Sequence, residues 1–367
     1  MNTTPEFITR NPADIMAECK NYLEERLGRE IQPAQIEQLI LNTIVYRETL
    51  LLNRFNAGLA NMLYQFSSGT TLDYIAGLVA VERLPEAKAG CTVRFTLVDG
   101  HGIILIPTGT RVASSDGIAI FETTEDIIVL TNGGNNVEAY VIAQTTGASH
   151  NGYAPGTINK ILDPYAFISS VANIDTTGGG SDAETDEQLR QRIKLAPSQF
   201  SVAGPRESYM YLAKSANASI KDISVTSPLP GTVLIVPLTD SGEISQTVIE
   251  DIYNACSADK VRPLTDTVIV TAPERIDYEI EVDITIYENV EAASVKKTIE
   301  DTLNDYATTK RKTLGQDIIK THISQLCRLN MVYDVEVKKP ANNLIVEDNE
   351  FTFCTGIIVN IIGSNRG

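Results

Sequence analysis

The residues best placed to do chemistry in this sequence are three carboxylates at alternate positions, Asp182, Glu184 and Asp186. Acidic residues at this spacing supply the first ligands of a calcium-binding loop. The match ends there, because such a loop has glycine at its sixth position and glutamate at its twelfth, where this chain has Glu187 and Ile193. The start of a helix favours the same acidic residues without any metal, since its N–H groups carry partial positive charge. We therefore predict a helix start and no metal site.

Three consecutive glycines, Gly178 to Gly180, precede that helix and would suit a phosphate-binding turn. Carboxylates follow almost immediately and would repel a phosphate, so we interpret Gly178, Gly179 and Gly180 as a flexible hinge. The HExxH, GxSxG and P-loop motifs are absent, and the histidines lie far apart in the sequence. The sequence therefore predicts neither an enzyme nor a bound cofactor.

Composition limits the possible partners. The net charge is −17 over 367 residues, and such an acidic chain lacks the basic surface that nucleic-acid binding requires. No apolar run approaches the roughly 20 residues of a membrane-spanning helix, so we expect no membrane insertion. The five cysteines form no CxxC pair, which is typical of reduced thiols. The first residues lack the features of a secretory signal, and we expect a soluble chain made in the cytoplasm.

The segment around which the chain is organised is unusually apolar and runs from Pro33 to Phe66. Its periodicity predicts one helix about 50 Å long. On a helical projection its apolar residues cover about 180°, whereas a surface helix buries a stripe little wider than about 100°. We predict that this face completes a bundle with helices of other chains, and the alternative is a central helix of a large helical domain. The predicted interface residues are Ile36, Ile40, Ile44, Leu51, Phe55, Leu59 and Met62.

Shorter helices are expected on both sides of this segment. Asn11 and Pro12 are typical of a helix start, and Gly28 is typical of a helix end. A third helix is expected from Thr70, directly after a break at Ser67–Gly69, which is a second hinge candidate. The N-terminal region is therefore predicted to be helical.

Beyond residue 90 the pattern becomes alternating. Residues 91–97 alternate between apolar and polar, and further short strands are separated by glycine and asparagine turns. This pattern predicts an antiparallel β domain that extends to about residue 176. Two possible capping boxes then mark the start of a helix, Ser181 with Glu184 and Thr185 with Gln188.

The remaining chain contains two segments in which a helix leads into an alternating strand. Gly204–Ser215 leads into residues 220–225, and Gly315–Leu329 leads into residues 332–337. We predict two α/β modules of similar topology, in which the strands that follow, at residues 231–237 and 356–361, also correspond. Further helices are expected at Ser245–Ala258 and Ala292–Thr308.

The predicted class is therefore α+β, with several domains. The predicted boundaries are 1–88 for the bundle-forming helices, 89–176 for the antiparallel β domain, 177–275 for the first α/β module and 276–367 for the second.

Several motifs occur in a fixed order along nearly the whole chain. The most specific is GGGSDAETDEQLRQRI at residues 178–193, which includes Asp182, Glu184, Asp186, Arg190 and Arg192. The others are LDYIAG at 72–77, VERL at 81–84, IPTGTR at 106–111, FET at 121–123, NGYAPGTI at 151–158, RPLTD at 262–266 and VIV at 268–270. In these motifs the chain resembles the baseplate J-like family, the wedge proteins of contractile phage tails, tail-like bacteriocins and related contractile injection systems.

The resemblance implies a structural protein without catalytic activity. Two copies would join one smaller wedge protein through an N-terminal helical bundle, and the C-terminal modules would meet neighbouring wedges in a ring around the central hub. The ring, in contact with sheath-initiating and hub proteins, would hold the sheath extended and rearrange on contraction. The chain would reside in the host cytoplasm during assembly and in the baseplate of the mature particle.

Two other functions stay open at this point. One is a metal-assisted cell-wall hydrolase with Asp182, Glu184 and Asp186 as ligands, which the lack of clustered histidines disfavours. The other is a receptor-binding tail protein that uses the β domain, although the chain has no tryptophan to form an aromatic platform. Neither alternative explains the long apolar segment.

Overall fold

The structure, a computed structural model, describes residues 4–130, 134–200, 206–240, 242, 244–258, 266–288 and 290–366. Eight α-helices and fourteen strands occur in these residues, so the predicted α+β class is confirmed. The chain forms two compact units, one made of Met1–Arg83 with Leu189–Lys194 and the other of Leu84–Gln188 with Leu195–Gly367. Within the described ranges, no helix combines the length and the apolar character of a membrane span.

The first unit is built from the helices α1 (Pro12–Leu27), α2 (Ile36–Ala60) and α3 (Gly69–Leu78). The predicted ends of α1 are confirmed. The Asn11 side chain accepts a hydrogen bond from the N–H of Ala13 (2.9 Å), and Gly28 ends the helix with a φ of 66°. Both signals act through immediate neighbours in the sequence, so the sequence alone locates the two ends.

The prediction of a single helix over Pro33–Phe66 is wrong in its extent. α2 has 25 residues, or about 37 Å. Its end coincides with contacts of Asn61, whose side-chain oxygen accepts from the N–H of Ser68 (3.1 Å) and whose side-chain nitrogen donates to the Thr71 hydroxyl (3.1 Å). The chain therefore continues through turns, and Met62 lies beyond the end of the helix.

The second unit begins with the strands β1 (Lys88–Leu97), β2 (Ile104–Ile106), β3 (Arg111–Ser114), β4 (Ile120–Thr123), β5 (Ile127–Val129), β6 (Asn136–Thr146), β7 (Ile158–Ile161) and β8 (Ile168–Asn173). Six of them form an antiparallel sheet in the order β7-β3-β4-β6-β1-β8, and β2 pairs with β5 in a separate antiparallel sheet. The predicted antiparallel domain is confirmed. Its core is centred on the fully buried rings of Phe95 and Phe121.

The chain enters and leaves this β domain side by side. The backbone of Ala87 pairs with that of Ser181, and the backbone of Gly90 pairs with that of Gly178. Four hydrogen bonds of 2.8 to 3.1 Å hold the two passing segments together.

The helix α4 (Asp186–Leu195) follows, and one of the two predicted capping boxes forms at its start. The Thr185 hydroxyl accepts from the N–H of Gln188 (3.4 Å), and the Gln188 side-chain oxygen accepts from the N–H of Thr185 (3.2 Å). The box thus satisfies two N–H groups that the first turn of a helix leaves open.

The other predicted capping box, Ser181 with Glu184, is wrong. The helix begins only at Asp186, so Ser181 lies too far upstream to cap it. The Glu184 carboxylate accepts instead from the N–H of Leu84 (2.9 Å). The buried Ser181 hydroxyl has no hydrogen-bond partner in the part of the chain that the structure describes.

The first α/β module contains α5 (Arg206–Ala216), β9 (Ile220–Thr226), β10 (Thr232–Thr239), α6 (Gln246–Ser257) and β11 (Thr267–Val270). The central strand β10 is antiparallel to β9 and parallel to β11. Tyr209 of α5 and Ile252 of α6 pack into one core with these strands. The predicted helix start at Gly204 and the first four residues of the RPLTD motif lie outside the described residues.

The second module contains β12 (Glu274–Tyr287), α7 (Ala292–Arg311), α8 (Lys320–Cys327), β13 (Val332–Lys339) and β14 (Glu350–Asn365). The central strand β12 is antiparallel to β13 and parallel to β14. The predicted helix over Gly315–Leu329 is too long, because the backbone of Ile318 pairs with that of Leu344 and only then does α8 begin.

The two modules share a sheet type but not a topology. Each central strand has one antiparallel and one parallel neighbour. In the chain, however, β10 follows its antiparallel neighbour, whereas β12 precedes both of its neighbours. The predicted correspondence is therefore wrong at its second strand, since β10 is central and β14 is at the edge. The repeated helix–strand pattern identified only the two antiparallel edge strands, β9 and β13.

Candidate assembly interface

The helix α2 is buried along a narrow side only. Leu41, Val45 and Ala60 are its buried residues, and α1 packs beside it with Ile15 almost completely enclosed. A helix held in a core on all sides would bury apolar residues around its whole circumference. The rest of the α2 surface is therefore at least partly exposed and available for contact with other molecules.

The seven residues predicted to form the bundle interface are all exposed. Their exposed fractions run from 36% for Leu59 to 73% for Ile36. Five of them, from Ile36 to Phe55, lie within about 100° of each other on a helical projection. The α2 stripe consists of Ile36, Ile40, Ile44, Leu51 and Phe55. Leu59, in the last turn of α2, and Met62, just past the helix end, extend the exposed apolar surface. An exposed surface rich in large apolar side chains marks an interaction site more often than a solvated face.

Two arginines that the sequence analysis overlooked lie on the same side of α2. Arg47 and Arg54 project at about 20° and 0°, within the arc of the α2 stripe. Both are exposed, and neither forms an ion pair with another residue of the described ranges. The helical projection that identified the apolar stripe would have revealed them too.

Hydrogen bonds hold the main-chain groups of Gly178 and Gly180 in place. The N–H and C=O of Gly178 both bond to Gly90 (3.0 and 2.8 Å), and those of Gly180 both bond to the Asn151 side chain (2.9 and 2.8 Å). A Cβ on Gly178 would lie 2.5 Å from the Cβ of Ser245, so this position has no room for a side chain. The role of the triplet as a hinge stays a prediction.

The acidic residues of the 178–193 motif do not converge on a common point. The Asp182 carboxylate accepts from the N–H of Ala148 (3.2 Å), whereas that of Glu184, only 3% exposed, accepts from Leu84. Across the described residues, no three His, Cys, Asp or Glu side chains come close enough to hold a metal ion. This arrangement gives a metal-assisted hydrolase no support.

The basic residues of the same motif form hydrogen bonds within the first unit. Arg190 donates to the carbonyl of Ser67 (2.8 Å), and Arg192 donates to the carbonyl of Glu82 (3.0 Å). Arg192 is 5% exposed, so its charge is stabilised by such hydrogen bonds rather than by water. The motif thus forms hydrogen bonds with partly buried main-chain groups, and these contacts account for its charged side chains without any chemistry.

The buried thiols are also unsuited to chemistry. Burial raises the pKa of Cys256 to about 12, and burial together with the charge of Asp175 raises the pKa of Cys91 to about 12. Burial raises the pKa of Cys327 to about 11. All three are protonated at neutral pH, and a thiol reacts as a nucleophile only in its thiolate form.

Three models of one protein family match successive parts of the chain. The Baseplate J-like protein barrel domain matches residues 92–180, the Baseplate J-like central domain matches residues 201–272 and the Baseplate J-like protein C-terminal domain matches residues 278–360. Together these segments make up about two thirds of the chain.

One curated protein and one solved structure match this chain over different shares of its length. The chain is 31% identical over 185 residues to Baseplate protein J of Escherichia phage P2, a match that covers 50% of this chain and 61% of the phage protein. It thus spans less than two thirds of that relative. A chain of the cryo-EM structure of the anti-feeding prophage baseplate aligns with 95% of this chain over 90% of its own length, at 14% identity and a TM-score of 0.39. That structural likeness is too distant to bear on function. Because three domain models of one family match in succession, the chain belongs to the baseplate J-like family.

Proposed function

We propose that the chain is a structural wedge subunit in the baseplate of a contractile phage tail or tail-like particle, without catalytic activity of its own. The observation that carries this proposal is the α2 stripe, an exposed apolar surface that the chain's own core does not use. Membership of the baseplate J-like family supplies the setting in which partner helices would cover it.

The energetics favour a partner that is apolar as well. Full burial of an Ile, Leu, Phe or Met side chain contributes about 1.5–3 kcal/mol. Covering seven such side chains that are about half exposed yields on the order of 10 kcal/mol, comparable with the roughly 4–15 kcal/mol that association costs in lost freedom. A stable complex therefore requires the partner to bury an apolar face of its own, as a helix in a bundle does.

The charges on α2 specify the partner further. Arg47 and Arg54 lie within the arc that a bundle would cover and would be desolvated there, so carboxylates on a partner helix would stabilise them. A suitable partner helix is apolar along one side and carries Asp or Glu beside that side. We propose that a second copy of this chain and one smaller wedge protein complete the bundle.

In this arrangement the C-terminal modules make the contacts between neighbouring wedges, and the ring they close surrounds the central hub. Sheath-initiating and hub proteins would attach to it, and a rearrangement of the ring would release contraction. Gly178, Gly179 and Gly180 are the proposed hinge. Assembly would take place in the host cytoplasm.

The bundle is tested by placing a carboxylate in the α2 stripe. We expect Ile44→Asp or Phe55→Asp to reduce the partner protein that co-purifies with tagged full-length chain by about tenfold or more, because an unpaired buried carboxylate costs several kcal/mol. The measurement is quantitative mass spectrometry of eluates from cells that produce the complete particle.

Asn53→Asp is the matched control. It adds the same charge at an exposed position on the far side of α2. Normal co-purification with Ile44→Asp would overturn the bundle. Equal losses with all three variants would show a general effect of charge and would overturn it as well.

A further inference from the structure

The small sheet formed by β2 and β5 has an apolar outer face. Leu105 and Ile128 oppose each other across the sheet, and Ile103 and Leu130 continue the same alternation just beyond the strand ends. All four side chains are exposed, from 49% for Leu105 to 71% for Ile103. We refer to these four residues as the β2–β5 patch.

Folding of the β domain does not account for this patch. The alternate residues Ile104, Ile106 and Val129 point inward, are buried and belong to the main core of the domain. The sheet is therefore already anchored through its inner face. The outer face of a solvated antiparallel sheet is normally polar, and four large aliphatic side chains there favour aggregation unless something covers them.

The border of the patch is acidic. Asp99 precedes β2, Glu125 and Asp126 precede β5, and all three are exposed. No lysine or arginine occurs between Arg94 and Arg111 or between Arg111 and Lys160. Arg111 itself is engaged by the Asp163 carboxylate through two hydrogen bonds of 2.7 and 3.0 Å. The negative charge beside the patch is therefore left for a partner to match.

We propose that the β2–β5 patch docks a different protein of the same particle, through an apolar segment flanked by lysine or arginine. A second copy that used the same patch would oppose the acidic border to itself, because a two-fold contact repeats one surface on both sides. Like charges opposed across an interface suppress such pairing. A basic border on another protein pairs with Asp99 and Glu125 while its apolar centre covers the four aliphatic side chains.

This inference rests on the proposed role in a particle, and site-specific photo-crosslinking tests the two separately. The full-length chain is produced in cells that make the complete particle, with p-benzoylphenylalanine in place of Leu105. Matched chains carry the same group in place of Ile118, an exposed residue elsewhere in the β domain, or in place of Phe55 in the α2 stripe. Crosslinked peptides are identified by mass spectrometry.

We expect position 105 to crosslink to a lysine- or arginine-containing segment of another protein, and position 118 not to. A companion chain with Glu125→Lys is expected to lower the yield at position 105 about tenfold, since it reverses a charge beside the patch. A crosslink from position 105 to a second copy of this chain would overturn the proposal. So would an unchanged yield with Glu125→Lys.

The Phe55 position separates the two proposals. Crosslinks at position 55 without any at position 105 would refute the docking surface and leave the wedge role standing. The absence of crosslinks at both positions would refute both.

Discussion

Three charged side chains of the 178–193 motif form hydrogen bonds with main-chain groups. Glu184, Arg190 and Arg192 each bind a backbone N–H or carbonyl group far away in the sequence. Truncating one of them would remove the partner of a partly buried main-chain group, which costs about 1 kcal/mol. At the scale of single residues, the most specific motif of the chain is therefore explained by hydrogen bonds to main-chain groups.

The two predicted capping boxes provide a direct comparison. We expect Thr185→Ala to lower the free energy of unfolding by about 1 kcal/mol, because its hydroxyl caps α4. Ser181→Ala is expected to be neutral or slightly stabilising, since that buried hydroxyl has no hydrogen-bond partner within the described ranges. Urea denaturation of both variants measures the difference. An equal loss of stability in the two would contradict this assignment.

The buried thiols predict a loss of stability at high pH. Burial raises the pKa of Cys256 from 9.0 to about 12, so between these values the thiol ionises in the unfolded chain but stays neutral in the folded one. The contribution of the neutral Cys256 thiol to the free energy of unfolding is complete below pH 9 and is lost as the pH rises towards about 12. At about pH 10 the loss is about 1.4 kcal/mol.

Urea denaturation at about pH 8 and about pH 10 tests this linkage. Cys256→Ala is expected to lose less stability between the two values than the wild-type chain does. Cys19→Ala, at a partly exposed position, controls for the removal of a thiol. An identical pH dependence in the wild-type chain and Cys256→Ala would show that Cys256 does not contribute.

At the scale of elements, the proposed hinge makes a prediction about hydrogen exchange. If Gly178–Gly180 rotates during contraction, the two hydrogen bonds between Gly90 and Gly178 must break. Their amides should then exchange faster in contracted particles than in extended ones. Exchange followed by mass spectrometry on a peptide that covers residues 176–181 measures this, and residues 92–97 of β1 serve as the control. Unchanged protection at residues 176–181 would rule the hinge out.

Elements whose limits depend on adjacent residues were predictable from the sequence, and those that depend on distant residues were not. Asn11 and Gly28 act on α1 from neighbouring positions, so both ends were predicted correctly. The end of α2 coincides with contacts from Asn61 to Ser68 and Thr71, and no periodicity reveals such contacts. α8 starts late for a similar reason, because the backbone of Leu344, distant in the sequence, pairs with that of Ile318.

The strand β12 is a different case, because its signal was present and was overlooked. Tyr278, Ile280, Val282 and Ile284 alternate with charged or polar residues and are all buried. Omitting this strand led to the wrong correspondence between the modules, since β12 is the centre of the second sheet. For the candidate interface, the sequence located the apolar stripe correctly on α2, but only the structure could show that its side chains are exposed among the described residues.

At the scale of the whole molecule, the chain presents two apolar surfaces with opposite electrostatic borders. The α2 stripe is accompanied by Arg47 and Arg54, whereas the β2–β5 patch is bordered by Asp99, Glu125 and Asp126. A partner suited to one surface is therefore poorly suited to the other. Charge complementarity of this kind gives specificity more than affinity, which the proposed position beside several different neighbours would require.

The side-by-side entry and exit of the β domain also has a mechanical consequence. A force that pulls apart the segments before Ala87 and after Ser181 acts first on the four backbone hydrogen bonds that join the two passing segments. Gly90 belongs to β1, so the start of β1 carries this load, whereas the part of the sheet beyond Gly90 is loaded only after those bonds have ruptured. Most of the β domain thus lies outside the path of the force, and its surfaces stay intact under any pull on the flanking segments that those hydrogen bonds withstand.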